Sequence, residues 1–236
     1  MNPTPRVVVV IPALDEEASL GLVLDAIPRS VEAVVVCDNG SRDRTAEVAR
    51  ARGAIVVHEP QRGYGAACLR ALEAVRQRPE GPPDVVCFLD ADFSDYPEDL
   101  PRLIEPIASG DADLVLGSRM LLPEARAALL PQARFGNQLA TCLIRLLWGA
   151  RFTDLGPFRA IRWDVLEQVE LRDPNYGWTV ELQIKAARRG LRALEVPVRY
   201  RRRVGTSKIT GTLRGTLGAG TKILTTIGRH GLFARG

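Results

Sequence analysis

Apolar residues in the first half of the chain fall into short runs separated by amphipathic stretches. Residues 7–11, 33–37, 55–57, 85–89 and 114–116 are rich in Val, Ile and Leu and are bounded by Pro, Gly or Asp, the pattern of buried strands. The stretches between them carry the helical period. Asp15 is placed to N-cap a helix with Leu20, Val23, Leu24 and Ile27 on one face. Residues 45–52 form a second helix that Gly53 terminates, and residues 65–77 a third, with Leu69, Leu72 and Val75 inward. Pro97 suits the first turn of a fourth. Strand and helix alternating in this way predict an α/β fold with a mainly parallel, doubly wound sheet flanked by helices.

The second half is less regular. Residues 135–148 are amphipathic, with Leu139, Leu143, Leu146 and Leu147 as the apolar ridge. Residues 158–161 read as a short strand, and 179–189 as a helix closed by Gly190. Residues 194–200 read as a strand that Pro197 places near an edge. Residues 213–227 read as a last helix, weakened by Gly215, Gly218 and Gly220. No linker or repeat divides the chain. The expected organisation is one domain over residues 1–212, with a helical tail over 213–236 packed on it or lying at a membrane surface.

At 236 residues, 46% hydrophobic and 25% charged, the chain is long enough for one large α/β domain. No apolar stretch approaches the ~20 residues of a membrane span. The run at 7–11 is too short for a signal-peptide core of roughly 7–15 residues. A cytoplasmic protein is expected, with Cys37, Cys68, Cys87 and Cys142 as free thiols. The net charge is +4, and the stretch from Arg188 to Arg203 is arginine-rich with Glu195 its only acid. Such a segment suits an anionic lipid or a phosphorylated substrate. No nucleic-acid-binding signature accompanies it, so nucleic acid is not the expected partner.

Candidate chemistry gathers where the strands end, the place at which open α/β sheets bind ligands. Asp90-Ala91-Asp92 leaves the apolar run 85–89. Two carboxylates one residue apart at the end of a buried strand are costly unless neutralised, and hard oxygen ligands suit Mg²⁺ or Mn²⁺. A cation held by one or two carboxylates commonly completes its shell with substrate phosphates. Asp38, after the second strand, is able to accept from a ring N–H or a ribose hydroxyl, or to close an Asx turn with Asn39-Gly40. Gly63-Tyr64-Gly65 permits close backbone approach, but Cys68 occupies the third glycine position of a dinucleotide fingerprint, which argues against a nicotinamide site. Glu181, near the start of an otherwise apolar helix, is either a carboxylate base or an acid favoured by the helix dipole.

Read in order, Val10-Ile11-Pro12-Ala13-Leu14-Asp15-Glu16-Glu17, Cys37-Asp38-Asn39-Gly40-Ser41, Arg62-Gly63-Tyr64-Gly65-Ala66-Ala67 and Asp90-Ala91-Asp92 resemble glycosyltransferase family 2 and its Rossmann-like GT-A fold. The segments Thr153-Asp154-Leu155-Gly156-Pro157-Phe158-Arg159 and Arg202-Arg203-Val204-Gly205-Thr206-Ser207-Lys208 resemble its polyprenyl-phosphate branch, typified by dolichol-phosphate mannose synthase. The resemblance implies an inverting hexosyltransferase that moves a sugar from a UDP- or GDP-linked donor to an acceptor, foremost a polyprenyl or other lipid phosphate. A small soluble phosphorylated or hydroxyl acceptor is the alternative. So are a nucleotidyltransferase and a non-catalytic nucleotide-sugar binder.

Carried over residue by residue, Pro12, Leu14 and Glu16 line the base and ribose, and Asp38 holds the base. Asp90 and Asp92 lie at the metal and diphosphate, with Ala91 between them. Gly63 and Ser94 flank the donor, Ser94 standing where the branch often has Gln. Arg119 approaches phosphate, and Arg202 and Lys208 close over the diphosphate or acceptor phosphate. Asp154 orients the acceptor or the Arg119 region, and Glu181 is the base if the acceptor is a hydroxyl. Contact with the inner face of the cell membrane through the Leu139–Leu147 ridge, or core packing or a homodimer seam (a homo-oligomer) through the same ridge, completes the expectations.

Overall fold

The computed structural model describes residues 4–205 and 213–232 of the chain. At its centre, among the described residues, is a seven-stranded sheet. The strands are β1 (Val7–Ala13), β2 (Ala33–Asp38), β3 (Ile55–His58), β4 (Val85–Phe88), β5 (Leu114–Ser118), β6 (Arg159–Arg162) and β7 (Ala193–Pro197). Their order is β3-β2-β1-β4-β6-β5-β7. Every pairing is parallel except those of β6, which runs antiparallel to both β4 and β5.

The continuous apolar run of β1 follows from its central position. Successive side chains of a strand point to opposite faces, and here both faces are covered. Val7, Val9, Ile11 and Ala13 enter one core layer. On that face lie α1 (Leu20–Ala26), α2 (Thr45–Ala51) and α4 (Leu100–Ala108), which contribute Leu20, Val23, Ala49, Leu100 and Leu103. Val8 and Val10 enter the other layer, with Leu72 and Val75 of α3 (Tyr64–Arg76), Leu166 of α7 (Trp163–Val169) and Trp178 and Leu182 of α8 (Trp178–Arg188). A third, smaller cluster joins α6 (Pro131–Trp148), α8 and α9 (Leu213–Leu232) through Ala140, Ile144, Val180, Ile184 and Ile227. The helix α5 (Pro123–Ala128) precedes α6.

The expected strands and the doubly wound layering are present, and β7 lies at an edge as Pro197 requires. Four local expectations are corrected. Asp15 does not cap α1: β1 runs on to Ala13, Asp15 turns the chain at φ 51°, and its carboxylate accepts from the Arg42 backbone N–H at 2.7 Å. The helix starts five residues later, at Leu20. The short helices α5 and α7 are too brief to show a period in the sequence. The apolar ridge of α6 is not its buried face. The helix buries Asn137, Ala140, Thr141 and Ile144, while Leu139, Leu146 and Leu147 are exposed and Leu143 is partly covered. Asn137 is inside because both ends of its amide are engaged, donating to Thr153 O and accepting from Leu155 N, each at 2.8 Å. Finally, α9 continues to Leu232, five residues past its expected end.

Candidate active site

Parallel register sets the site. Ala13 of β1 pairs with Asp38 of β2, and Val10 pairs with Phe88 of β4, so the chain segments leaving all three strands emerge at one edge of the sheet. They surround a cavity of about 260 Å³. Of the residues expected at the site, Pro12, Leu14, Glu16, Gly63, Asp90, Ala91 and Asp92 line it. Asn175 and Tyr176 line it as well.

The acids of the Asp-Ala-Asp segment are held differently. Asp92 is buried and accepts from Ser94 N at 2.9 Å, and its other oxygen lies 3.3 Å from Arg203 Nη1. Asp90 has a buried oxygen, Oδ1, with no hydrogen-bond partner. Burial first, and the neighbouring charge of Asp92 second, push its pKa up to about 7. Arg203 binds Glu16 as well, at 2.8 Å, and Glu16 in turn accepts from Ser19 Oγ at 2.7 Å. Among the described residues no set of three or more His, Cys, Asp or Glu is arranged to hold a metal ion. The Asp90/Asp92 pair nonetheless fits a divalent cation whose shell is completed by substrate oxygens: both donors are hard carboxylates, and a partnerless buried oxygen calls for positive charge.

A second polar layer lies behind this pair. Arg119 grips Asp154 with two side-chain bonds and one backbone bond, all at 2.8 Å. Burial opposes both charges, but each ion outweighs that penalty on its partner. Asp154 therefore sits below the ordinary carboxylate range and Arg119 above the ordinary guanidinium. Arg119 also lies 5.0 Å from the centroid of the Tyr200 ring. Asp95 is 2% exposed, neither carboxylate oxygen has a partner, and burial drives its pKa well up, with Asp90 adding to the effect. The fully buried Arg159 donates to the carbonyls of Leu155, Gly156, Pro157 and Thr179, which fixes the loop that follows Asp154.

Several expected residues are not brought to the cavity. Asp38 closes an Asx turn onto Ser41 N at 3.0 Å, and its other oxygen meets His58 Nδ1 at 3.0 Å; its neighbour Asn39 lines the cavity instead. Ser94, Arg119 and Asp154 stand behind the lining. Arg202 is exposed and Arg203 is the arginine that points in. Arg201 stacks on Phe93 and Tyr96, at 3.4 and 4.0 Å from the ring centroids. Lys208 lies outside the described residues. Glu181 is buried away from the cavity. It accepts from the backbone N–H groups of Arg172 and Asp173 at 3.0 and 2.8 Å, and pairs with Lys185 at 2.7 Å. Tyr64, Arg62, Asn175 and Tyr176 also line the cavity without having been expected there as side chains. No local signal marks the last two, which arrive from the segment between α7 and α8.

Comparison with known proteins agrees with this architecture. The chain is 35% identical over 246 residues to the undecaprenyl-phosphate mannosyltransferase of Micrococcus luteus, covering 98% of this chain and 96% of that one. It is 37% identical over 205 residues to the dolichyl-phosphate hexose transferase of Haloferax volcanii, covering 85% of each. Among solved structures it is similar to glucosyl-3-phosphoglycerate synthase of Mycobacterium tuberculosis in complex with Mn²⁺, UDP-glucose and phosphoglyceric acid. The TM-score is 0.71 at 26% identity, with 95% of this chain and 80% of that one covered. Residues 8–169 match the model of Glycosyl transferase family 2. That match spans well over half of the chain and relatives extend along nearly all of it, so this protein belongs to glycosyltransferase family 2 and is a transferase.

Proposed function

We propose that this enzyme transfers a hexose, with inversion, from a nucleotide-diphospho-sugar to a phosphate acceptor, foremost a polyprenyl or other lipid phosphate. The observation that carries the donor is the Asp90/Asp92 pair opening into the cavity beside Arg203. Asp90 and Asp92 would hold Mg²⁺ or Mn²⁺, which when bound supplies positive charge for the departing diphosphate. Arg203 has the same sign and lies on the same side. The base and ribose then fit between Pro12, Leu14 and the Asn175–Tyr176 wall. The pairing of β1, β2 and β4 keeps these groups in place before substrate arrives, so no reorganisation is needed when charge develops.

The acceptor follows from the carboxylates. Among the described residues three acidic side chains line the cavity, and each is committed: Glu16 to Arg203 and Ser19, Asp92 to Arg203 and Ser94, and Asp90 to the proposed cation. A hydroxyl acceptor requires a base to take its proton. A phosphate oxygen is already anionic at neutral pH. It attacks C1 of the sugar as the bond from C1 to the diphosphate oxygen breaks, with no proton to remove. The relatives named for undecaprenyl and dolichyl phosphate support a lipid phosphate. The neighbour solved with phosphoglyceric acid supports a soluble one.

The test is a donor and acceptor screen. UDP- and GDP-sugars, with and without Mn²⁺, are compared by thermal shift. A ligand at roughly a hundred times its Kd stabilises the fold by about 2.7 kcal/mol, a readily measured rise. A metal-dependent shift with one nucleotide family is expected. Nucleotide release should then require undecaprenyl phosphate in detergent and be negligible with phosphoglyceric acid. No shift with any donor at saturating concentration rejects the reading.

Peripheral contact with the inner face of the cell membrane belongs to the same proposal. Among the described residues no helix is long and apolar enough to cross a membrane. The outer face of α6, however, exposes Phe135 (69%), Leu146 (77%) and Leu147 (48%), with Arg134, Arg145 and Arg151 close in sequence. Flotation with vesicles containing phosphatidylglycerol is expected at low salt and should be lost in Leu146→Glu. Flotation unchanged by Leu146→Glu removes this part. If the same face instead seats a second copy of the chain, the solution mass doubles and Leu146→Glu restores the monomer.

A further inference from the structure

The segment 171–177 between α7 and α8 supplies Asn175 and Tyr176 to the cavity, yet it has no regular structure of its own. It is held from three sides. From beneath, Ala66 N at the start of α3 donates to Pro174 O at 2.8 Å. The contact is so close that a Cβ on Gly63 would come within 2.1 Å of Pro174 O, and one on Gly65 within 1.9 Å of Asp173 O. From α8, both oxygens of Glu181 are engaged: Oε2 by the backbone N–H groups of Arg172 and Asp173, Oε1 by Lys185. From α9, Lys222 Nζ pairs with Asp173 Oδ2 at 2.9 Å, while Asp173 Oδ1 accepts from Asn175 N at 2.8 Å. Asp173 is thus the joint between α9 and the residue that lines the cavity. Its side chain is 10% exposed, so the pair is less screened than an ordinary surface bridge.

We propose that Glu181 and Lys222 are positioning residues for the donor site. Through the 171–177 segment they set the wall against which the nucleotide binds, and α9 is a working part of that site. This rests on the nucleotide-sugar reading above, but the clamp itself is a property of the free protein. It also gives Glu181 a role without a proton transfer. A carboxylate that accepts two backbone N–H bonds and a lysine bond is tied to the loop, and Glu181 does not line the cavity. The Gly63-x-Gly65 spacing gains a meaning as well: those glycines admit protein carbonyls, Pro174 O and Asp173 O.

The experiment compares Lys222→Met, Lys222→Arg and Glu181→Gln with the wild type by hydrogen exchange and by steady-state kinetics in the donor. In Lys222→Met, exchange of the amides in 171–177 is expected to rise, the donor KM to increase about fivefold, and kcat to change less than twofold. Lys222→Arg should restore most of both. Glu181→Gln is expected to behave like Lys222→Met, whereas loss of a general base would cost roughly 10²–10⁴ in kcat with little change in KM. Exchange and KM at wild-type values in Lys222→Met overturn the proposal, as does a kcat-only defect in Glu181→Gln. Raised exchange in a protein whose wild type binds no nucleotide refutes the donor reading and leaves the clamp standing.

Discussion

Replacing Asp90 by Asn is expected to cut sugar transfer at least about a hundredfold and, at the same time, to raise the melting temperature of the metal-free protein at pH 8. The two effects have one cause. Asp90 Oδ1 is buried without a partner beside a second carboxylate, and its pKa in the fold is about 7 against 3.8 for an unperturbed side chain. Below about pH 4 the group is protonated folded or unfolded and has no effect on stability relative to its neutral form. Between 4 and 7 the folded protein holds a proton that the unfolded chain has released, so stability falls as pH rises; above 7 the full penalty is present. Asparagine removes that penalty. Melting curves in EDTA at pH 5.5 and 8 should therefore show a loss for the wild type and a smaller loss for Asp90→Asn. The slope does not vanish in the variant, because Asp95 is buried with the same sign of shift. Mn²⁺ should raise the wild-type melting temperature at pH 8 and leave the variant unchanged. Transfer should fall by about 10² or more, the usual cost of losing a charge that stabilises the departing group. A variant that turns over within tenfold of wild type, or that melts lower than wild type in EDTA at pH 8, contradicts this account.

What the sequence made legible, and what it did not, divides along contact range. The strand ends were legible because a period of two, covered on both faces, leaves an uninterrupted apolar run whose first polar residues must lie at the sheet edge. Asp90 and Asp92 were found in this way, Pro12, Leu14 and Glu16 through the family resemblance, and all five meet around the cavity. The ridge of α6 stays open in the sequence between the core and an outward contact, because apolar period alone does not say which face is inside. Asn137 is buried for its two hydrogen bonds to residues 153 and 155, and that demand turns Leu139, Leu146 and Leu147 outward. At Asp38 the Asx turn is one of two readings open in the sequence, and the bond to His58, set by the pairing of β2 with β3, is not visible there. For Glu181 the residue type and its place near the helix start were evident, but the loop folded back onto it was not. That loop is directed by Gly63 and Gly65, more than 100 residues earlier.

The run Arg201-Arg202-Arg203 poses a question of parity that the sequence leaves open and the structure decides. Tyr200 bridges to Asp95, Arg201 N donates to Ser94 O, and Val204 N donates to Asp92 O. Those bonds fix the register of the segment against the Asp-Ala-Asp turn. Arg203 is directed onto Asp92 and Glu16, Arg201 onto Phe93 and Tyr96, and Arg202 into solvent. Arg203→Met is accordingly expected to lower kcat by roughly 10²–10³, the scale of removing one preorganised charge from a departing anion. Arg202→Met should stay within about threefold of wild type, as a side chain that touches nothing in the site. Arg203→Lys should recover only part of the loss, because one ammonium does not reproduce a guanidinium that reaches Glu16 and Asp92 at once. The measurement is nucleotide release at saturating donor for the three variants, with melting temperatures beside it. Arg203→Met leaves two carboxylates facing each other and should melt a few degrees lower at neutral pH, with Mn²⁺ returning part of the difference. A larger defect at Arg202 than at Arg203 would mean that the segment changes register when substrate binds, and that the arrangement around Asp92 in the free protein is not the one that carries out transfer.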